Sequence, residues 1–151
     1  MRPLPASTIA LAAAAVVLAA VAARGPSGEI TRAHLEDDVA STFANLVAVQ
    51  VARVGRAGDA AALHASAQCR KVAAPRERRG AGDWTCDVAW YVPARYAALR
   101  DRYDLHVTPD GCYAASADGE EAHVGGPTIT TRDGATMRNL LYAFDGCIAA
   151  R

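Results

Sequence analysis

Four cysteines are the residues of this 151-residue chain whose type and spacing carry the clearest chemistry: Cys69, Cys86, Cys112 and Cys147. Four thiols can form two disulfide bonds in an oxidising compartment, or they can bind one zinc ion. Zinc sites bring cysteines together in pairs that only a few residues separate, and no pair here is that close. The sequence therefore predicts two disulfides. Of the three possible pairings we favour Cys69–Cys86 with Cys112–Cys147.

Four histidines could act as general bases or metal ligands: His34, His64, His106 and His123. None stands at the spacing of a zinc-binding motif, and His34 with Asp37 or Asp38 is more typical of a helix surface than of a catalytic pair. We therefore predict no catalytic residue, no metal and no cofactor. The alternative is a small secreted enzyme that uses a His/Asp pair. That enzyme needs a cavity lined by at least two of four residues: His34, His64, His106 and Asp87.

Two groups of side chains could bind a ligand without any reaction. The segment 70–79, RKVAAPRERR, holds five cations against Glu77. Its Arg76, Arg78 and Arg79 could bind an anionic polymer, or they could simply face water. Tyr91 is the second candidate, because strand alternation turns it away from the core that Trp90 should enter.

The first 23 residues are typical of an export signal. Arg2 precedes the apolar run 9–23, IALAAAAVVLAAVAA, and Ala20 to Ala22 form an A-x-A cleavage site. An uncleaved signal anchor is the alternative, because the run approaches the length of a membrane-spanning helix. Either segment places the rest of the chain outside the cytoplasm, secreted or anchored to the outer face of the membrane. Contact with the membrane is then expected only through this segment, if it stays uncleaved.

Charge and composition exclude one class of partner. Sixteen basic residues balance 16 acidic ones, so no global field attracts nucleic acid or an anionic membrane, and we predict no nucleic-acid partner. The 52% of hydrophobic residues is enough for one core, although much of it is alanine.

The hydrophobic pattern of the first half of the domain, residues 31–67, predicts helices. Apolar residues recur every three to four positions between Arg32 and Arg53, and Thr31 is a suitable N-cap. Gly55 and Gly58 should end this helix. Asp59 should then cap a shorter helix that runs toward Ala67 and leads to Cys69.

The second half alternates with the period of β-strands. We predict strands over 84–92, 103–108 and 112–116, with a turn at Pro109–Gly111 and a polar, helix-like turn over 93–102. Thr128–Thr131 is a candidate fourth strand. Four apolar residues at helical spacing favour a C-terminal helix, with an extended segment as the alternative: Met137, Leu140, Leu141 and Phe144.

The expected fold is therefore α+β. A long N-terminal helix packs on a small three- to four-stranded antiparallel sheet that two disulfides close. The predicted organisation is a signal peptide or anchor over 1–23, a linker over 24–30 and a single domain over 31–151.

Three short motifs resemble those of actinobacterial exported and envelope proteins: GDWTC over 82–86, DGCY over 110–113 and FDGC over 144–147. In outline the chain is similar to the uncharacterised domain class DUF4333. That resemblance implies an extracytoplasmic location and a helix on a small sheet, and it implies no activity. We therefore expect a non-catalytic envelope domain that binds a protein or cell-wall partner. Besides the secreted enzyme, a structural extracytoplasmic domain of a membrane-anchored complex is the alternative.

Overall fold

The fold is that of a computed structural model, which describes residues 29–56, 58–92, 96–119, 122–131 and 133–148. The predicted export signal over 1–23 and most of the predicted linker lie outside these residues. Within the described ranges, no helix is both long and apolar enough to cross a membrane.

One helix and two antiparallel sheets make up the described chain. The helix is α1 (Arg32–Arg53), and a 3-10 helix follows it (Ala61–Leu63). The strands are β1 (Ser66–Lys71), β2 (Gly82–Val92), β3 (Ala97–Val107), β4 (Cys112–Ala117), β5 (Thr128–Thr130), β6 (Thr136–Arg138) and β7 (Ala143–Cys147). The main sheet has the order β1-β2-β3-β4-β7, and β5 pairs only with β6.

Helix α1 has the bounds that the sequence predicts. The Thr31 hydroxyl accepts a hydrogen bond from the backbone N–H of His34 at 3.2 Å, which caps the first turn. Leu35, Val39 and Phe43 are fully buried, so one stripe of the helix faces the sheet.

The core lies between α1 and one face of the five-stranded sheet. Alternate residues of the central strands enter it, including Trp84 and Val88 of β2 and Tyr103 of β3, all fully buried. The ring of Phe43 lies 4.9 Å from that of Trp90, measured between centroids. The predicted inward orientation of Trp90 is confirmed.

Polar contacts also hold α1 on the sheet. The Tyr113 hydroxyl donates to the Asp38 carboxylate at 2.8 Å, and the backbone N–H of Cys69 donates to Glu36 at 2.7 Å. The Tyr113 ring crosses directly over Gly146, where a Cβ atom would lie 2.3 Å from the tyrosine oxygen. Glycine is therefore required at position 146 for this tyrosine to reach the helix.

Both disulfides join residues that lie directly opposite each other on neighbouring strands. Cys69 on β1 is bonded to Cys86 on β2, and Cys112 on β4 is bonded to Cys147 on β7. This is the pairing that the sequence favours. Two disulfides fit a protein that resides in an oxidising compartment.

The sheet has more strands than the sequence predicts. The α+β class is confirmed, but the main sheet has five strands and not three or four. Strand β1 occupies residues predicted as the end of a short helix and the start of a loop. Strand β3 begins at Ala97, inside the predicted turn over 93–102. Strand β2 pairs with β3 along its full length and with β1 over residues 84–89, and this pairing outweighs the local preferences of both segments.

The predicted C-terminal helix is wrong, and the extended alternative is correct. Residues 136–147 form β6, a turn and β7. Phe144 lies opposite Ala115 in the sheet, and its ring packs 5.4 Å from that of Tyr103. Burial of an aromatic side chain against the core outweighs the weak helical spacing of these few residues.

Candidate functional site

The predicted basic residues lie on the loop between β1 and β2. Arg79 forms an ion pair with Glu29 at 2.6 Å, whereas Arg76 and Arg78 are exposed and form no ion pair with a described residue. Tyr91 lies near the far end of β2, opposite Ala98, and is half-buried. Because the loop and Tyr91 lie at opposite ends of β2, the structure does not bring the predicted binding residues into one site.

The four histidines lie on four different elements. His34 is in the first turn of α1, His64 follows the 3-10 helix, His106 is on β3 and His123 is in the loop before β5. None of the described cavities is lined by two residues of the set that an enzyme would need: His34, His64, His106 and Asp87.

The second face of the main sheet, turned away from α1, is open. It is formed by the outward residues of all five strands, most of which are exposed, and we call it the open face. One row across it runs Asp83, His106, Ala114 and Asp145, because these residues lie opposite each other on successive strands. The next row runs Thr85, Asp104, Ser116 and Ala143.

All residues of these two rows except Thr85 line a shallow cavity of about 620 Å³. Small side chains, among them Ala114 and Ala143, leave the backbone of β4 and β7 within reach of a ligand. Three carboxylates surround them: Asp83, Asp104 and Asp145. Arg138 of β6 closes one side, where its guanidinium donates to the carbonyl oxygen of Ala143 at 3.1 Å.

The charge of this cavity is predominantly acidic. The Asp83 carboxylate accepts a hydrogen bond from Nδ1 of His106 at 2.8 Å, and the Asp104 carboxylate accepts one from the Thr85 hydroxyl at 3.4 Å. Carboxylates therefore outnumber the single guanidinium, with one imidazole beside them. A cationic group is the ligand that this arrangement favours.

The His106–Asp83 pair does not form a catalytic triad with Ser116. Ser116 lines the same cavity, but no hydrogen bond joins its hydroxyl to His106 among the described contacts. Both members of the pair are about 70% exposed, at 68% and 71% of their side-chain surface. Water screens such groups, so the pair lacks the buried carboxylate and positioned nucleophile of covalent catalysis.

A second His–Asp pair was missed by the sequence analysis. Asp101 is 5% exposed and accepts three hydrogen bonds at 2.8 Å, from the backbone N–H groups of His123 and Val124 and from Nδ1 of His123. The carboxylate thus holds the loop before β5 against β3. Asp101 alternates with Tyr103 and Leu105 along β3, so it faces the core like them. This alternation could be recognised in the sequence only if the strand was predicted to begin near Ala97.

The buried side-chain amide of Asn139 holds the segment that places Arg138 at the side of the cavity. Asn139 is 1% exposed and donates to the carbonyl oxygens of Val124 and Gly126 at 2.7 and 2.8 Å. The Gln50 amide donates to the Asn139 side-chain oxygen at 3.0 Å, and the backbone N–H of Leu140 donates back to Gln50 at 2.8 Å. Helix α1 thereby positions the β5–β6 hairpin beside the open face.

No group of three or more histidine, cysteine, aspartate or glutamate side chains in the described ranges is arranged to hold a metal ion. Comparison with known proteins adds no relative: no family model, no curated protein and no solved structure matches the chain.

Proposed function

We propose that this chain is an exported, non-catalytic domain that binds a protein partner through the open face of its sheet. The observation that carries the proposal is the acidic cavity of about 620 Å³ on a five-stranded face that no described element covers. The resemblance to envelope proteins and the two disulfides support the location outside the cytoplasm.

The partner is an extended polypeptide segment that carries lysine or arginine. The small side chains of Ala114 and Ala143 allow a backbone to approach the sheet closely. The carboxylates of Asp83, Asp104 and Asp145 can then pair with a cationic side chain. A sugar polymer of the wall would instead need aromatic stacking surfaces, and the aromatic lining residues Trp84 and Phe144 are buried.

A titration followed by backbone amide NMR tests this proposal. The probes are synthetic peptides that carry lysine or arginine, matched peptides that carry glutamate, and soluble peptidoglycan fragments. We expect chemical shift changes confined to the cationic peptides and centred on Asp83, His106 and Asp145. The double variant Asp83→Asn/Asp145→Asn should bind these peptides about tenfold or more weakly, since two charge pairs are lost.

The matched control removes two carboxylates elsewhere. The Asp59 side chain accepts a hydrogen bond from the backbone N–H of Ala61 at 2.9 Å, which an asparagine oxygen can also accept, and Asp118 is exposed after β4. Asp59→Asn/Asp118→Asn should therefore bind as the original chain does. If only the peptidoglycan fragments bind, the partner is a wall polymer and the proposed peptide partner is wrong. If no probe changes the chemical shifts of the open face, the whole proposal is refuted.

A further inference from the structure

The loop between β1 and β2, residues 72–81, is held rigidly although it contains little secondary structure. The Arg32 guanidinium donates to the carbonyl oxygens of Pro75 and Glu77 at 3.0 and 2.9 Å. The Lys71 ammonium donates to Glu77 at 2.8 Å and to the carbonyl oxygen of Arg79 at 3.1 Å. We call this segment the basic loop.

These contacts neutralise some of its charges and leave others free. Glu77 is paired with Lys71, and Arg79 is paired with Glu29. Arg76 and Arg78 are exposed and have no hydrogen-bond partner for their guanidinium groups among the described residues. A fixed backbone therefore presents two unpaired cations to the surroundings, at a low further cost in conformational entropy.

The basic loop is bonded to the start of the described chain. The backbone N–H of Arg32 donates to the carbonyl oxygen of Arg78 at 2.7 Å, and that of Gly80 donates to Ile30 at 2.9 Å. Only residues 24–28 separate Glu29 from the apolar run 9–23. Five residues span at most roughly 18 Å when fully extended. If the apolar run stays in a membrane, the basic loop is confined close to the membrane surface.

We propose that the basic loop docks the domain on a membrane surface that contains anionic phospholipids, with the uncleaved apolar run as the anchor beside it. The occupant is a lipid surface and not a wall polymer, because the short tether sets the height of the loop above the bilayer. Phosphate headgroups suit Arg76 and Arg78, and each cation near an anionic surface strengthens binding about fivefold.

Protease protection of the full chain in vesicles tests this inference. Glu77 lies between the two arginines and is 58% exposed, so a glutamate-specific protease reports on the loop even when the arginines are replaced. The chain is reconstituted into vesicles of phosphatidylcholine, with or without phosphatidylglycerol. We expect cleavage after Glu77 to be about tenfold slower on the anionic vesicles, and the protection to disappear at high salt.

Arg76→Gln/Arg78→Gln should weaken docking roughly 25-fold and bring cleavage close to the rate on neutral vesicles. The matched control, Arg53→Gln/Arg56→Gln, removes two exposed charges at the other end of α1 and should keep the protection. Equal cleavage on both vesicles, or equal loss of protection in the control, would overturn the inference. So would a membrane-extracted protein whose intact mass lacks residues 1–22. None of these results bears on the open face, which uses other residues.

Discussion

At the scale of single residues, two tyrosine hydroxyls lie inside the core, each with a hydrogen-bond acceptor. Tyr103 donates to the carbonyl oxygen of Leu141 at 2.7 Å, and Tyr113 donates to Asp38 at 2.8 Å. Burial raises the pKa of both hydroxyls far above its ordinary value of 10.0, and the carboxylates of Asp101 and Asp38 raise it further. Both groups therefore stay protonated in the folded protein where they would ionise in the unfolded chain.

The resulting pH dependence of stability has a definite sign. Because the folded-state pKa lies above the unfolded one, this stabilisation is complete below about pH 10 and is lost as pH rises. The free energy of unfolding should fall by up to about 1.4 kcal/mol per pH unit for each tyrosine. Tyr103→Phe or Tyr113→Phe should reduce the slope, as measured by urea unfolding between about pH 9 and pH 11.

Tyr96 supplies the control for this prediction, since it is 89% exposed. Tyr96→Phe should leave the alkaline slope unchanged. Identical slopes for the original chain and both core variants would show that the buried hydroxyls do not cause the dependence.

At the scale of elements, one amide network joins the C-terminal half of α1 to the connection between β6 and β7. Every polar atom of the Asn139 side chain has a partner, and these partners come from α1, the loop before β5 and the turn after β6. Such a network fixes the position of the hairpin that places Arg138 beside the acidic cavity.

A double-mutant cycle measures this network. Asn139→Ala should lower the free energy of unfolding by about 2–4 kcal/mol, because it leaves buried carbonyl and N–H groups without partners. Gln50→Ala should cost about 1–2 kcal/mol, and the double variant should cost less than the sum, with a coupling above about 0.5 kcal/mol. Hydrogen exchange should then quicken over 122–131 and 133–142.

Gln68→Ala is the matched control, because Gln68 is exposed on β1. It should change stability by less than about 0.5 kcal/mol. Strictly additive costs for Asn139 and Gln50 would mean that the two amides act independently.

At the scale of the whole molecule, the main sheet has a closed face under α1 and an open face toward solvent, and each face carries one disulfide. Cys69 and Cys86 are 5% and 0% exposed. Cys112 and Cys147 point to the open face, and Cys147 is exposed. The two bonds therefore differ in their access to a reductant.

A phosphine reductant should open Cys112–Cys147 first in the folded protein, because a buried bond reacts only after local unfolding. Alkylation followed by peptide mass analysis should find label on Cys112 and Cys147 before Cys69 and Cys86. Loss of the Cys112–Cys147 bond should lower the free energy of unfolding by about 4 kcal/mol in the chain-entropy model, since the bond closes a separation of 35 residues. In urea both bonds should open together, and simultaneous opening without urea would contradict the prediction.

Sequence patterns predicted the parts of this fold that local interactions decide. Helix α1 was predictable because 22 residues hold several repeats of its apolar stripe and Thr31 marks its start. The turn before β4 was predictable because Gly111 adopts a positive φ of 85° that few other residues tolerate. The inward side of Trp90 followed from the alternation along β2.

The candidate site was only partly predictable. His106 lay within the predicted strand over 103–108, but Asp83 lay just before the predicted strand over 84–92, and Asp145 was assigned to a helix. Strand β7 has five residues, too few to show an alternation that outweighs a chance helical spacing. The sequence also did not show that the basic loop and Tyr91 lie far apart. Strand alternation predicts which face of the sheet a side chain lies on, but not how far it lies from other residues on that face.

By itself, then, the sequence determined the helix, the central strands and a disulfide framework, because each depends on the period or chemistry of neighbouring residues. Only the tertiary structure decided that β7 pairs with β4, and hence that Asp145 enters the same row as Asp83 and His106. The same holds for the contact of the basic loop with residues 30–32. Pairings between distant segments are selected by burial and hydrogen bonding in the assembled sheet, and no local pattern encodes them.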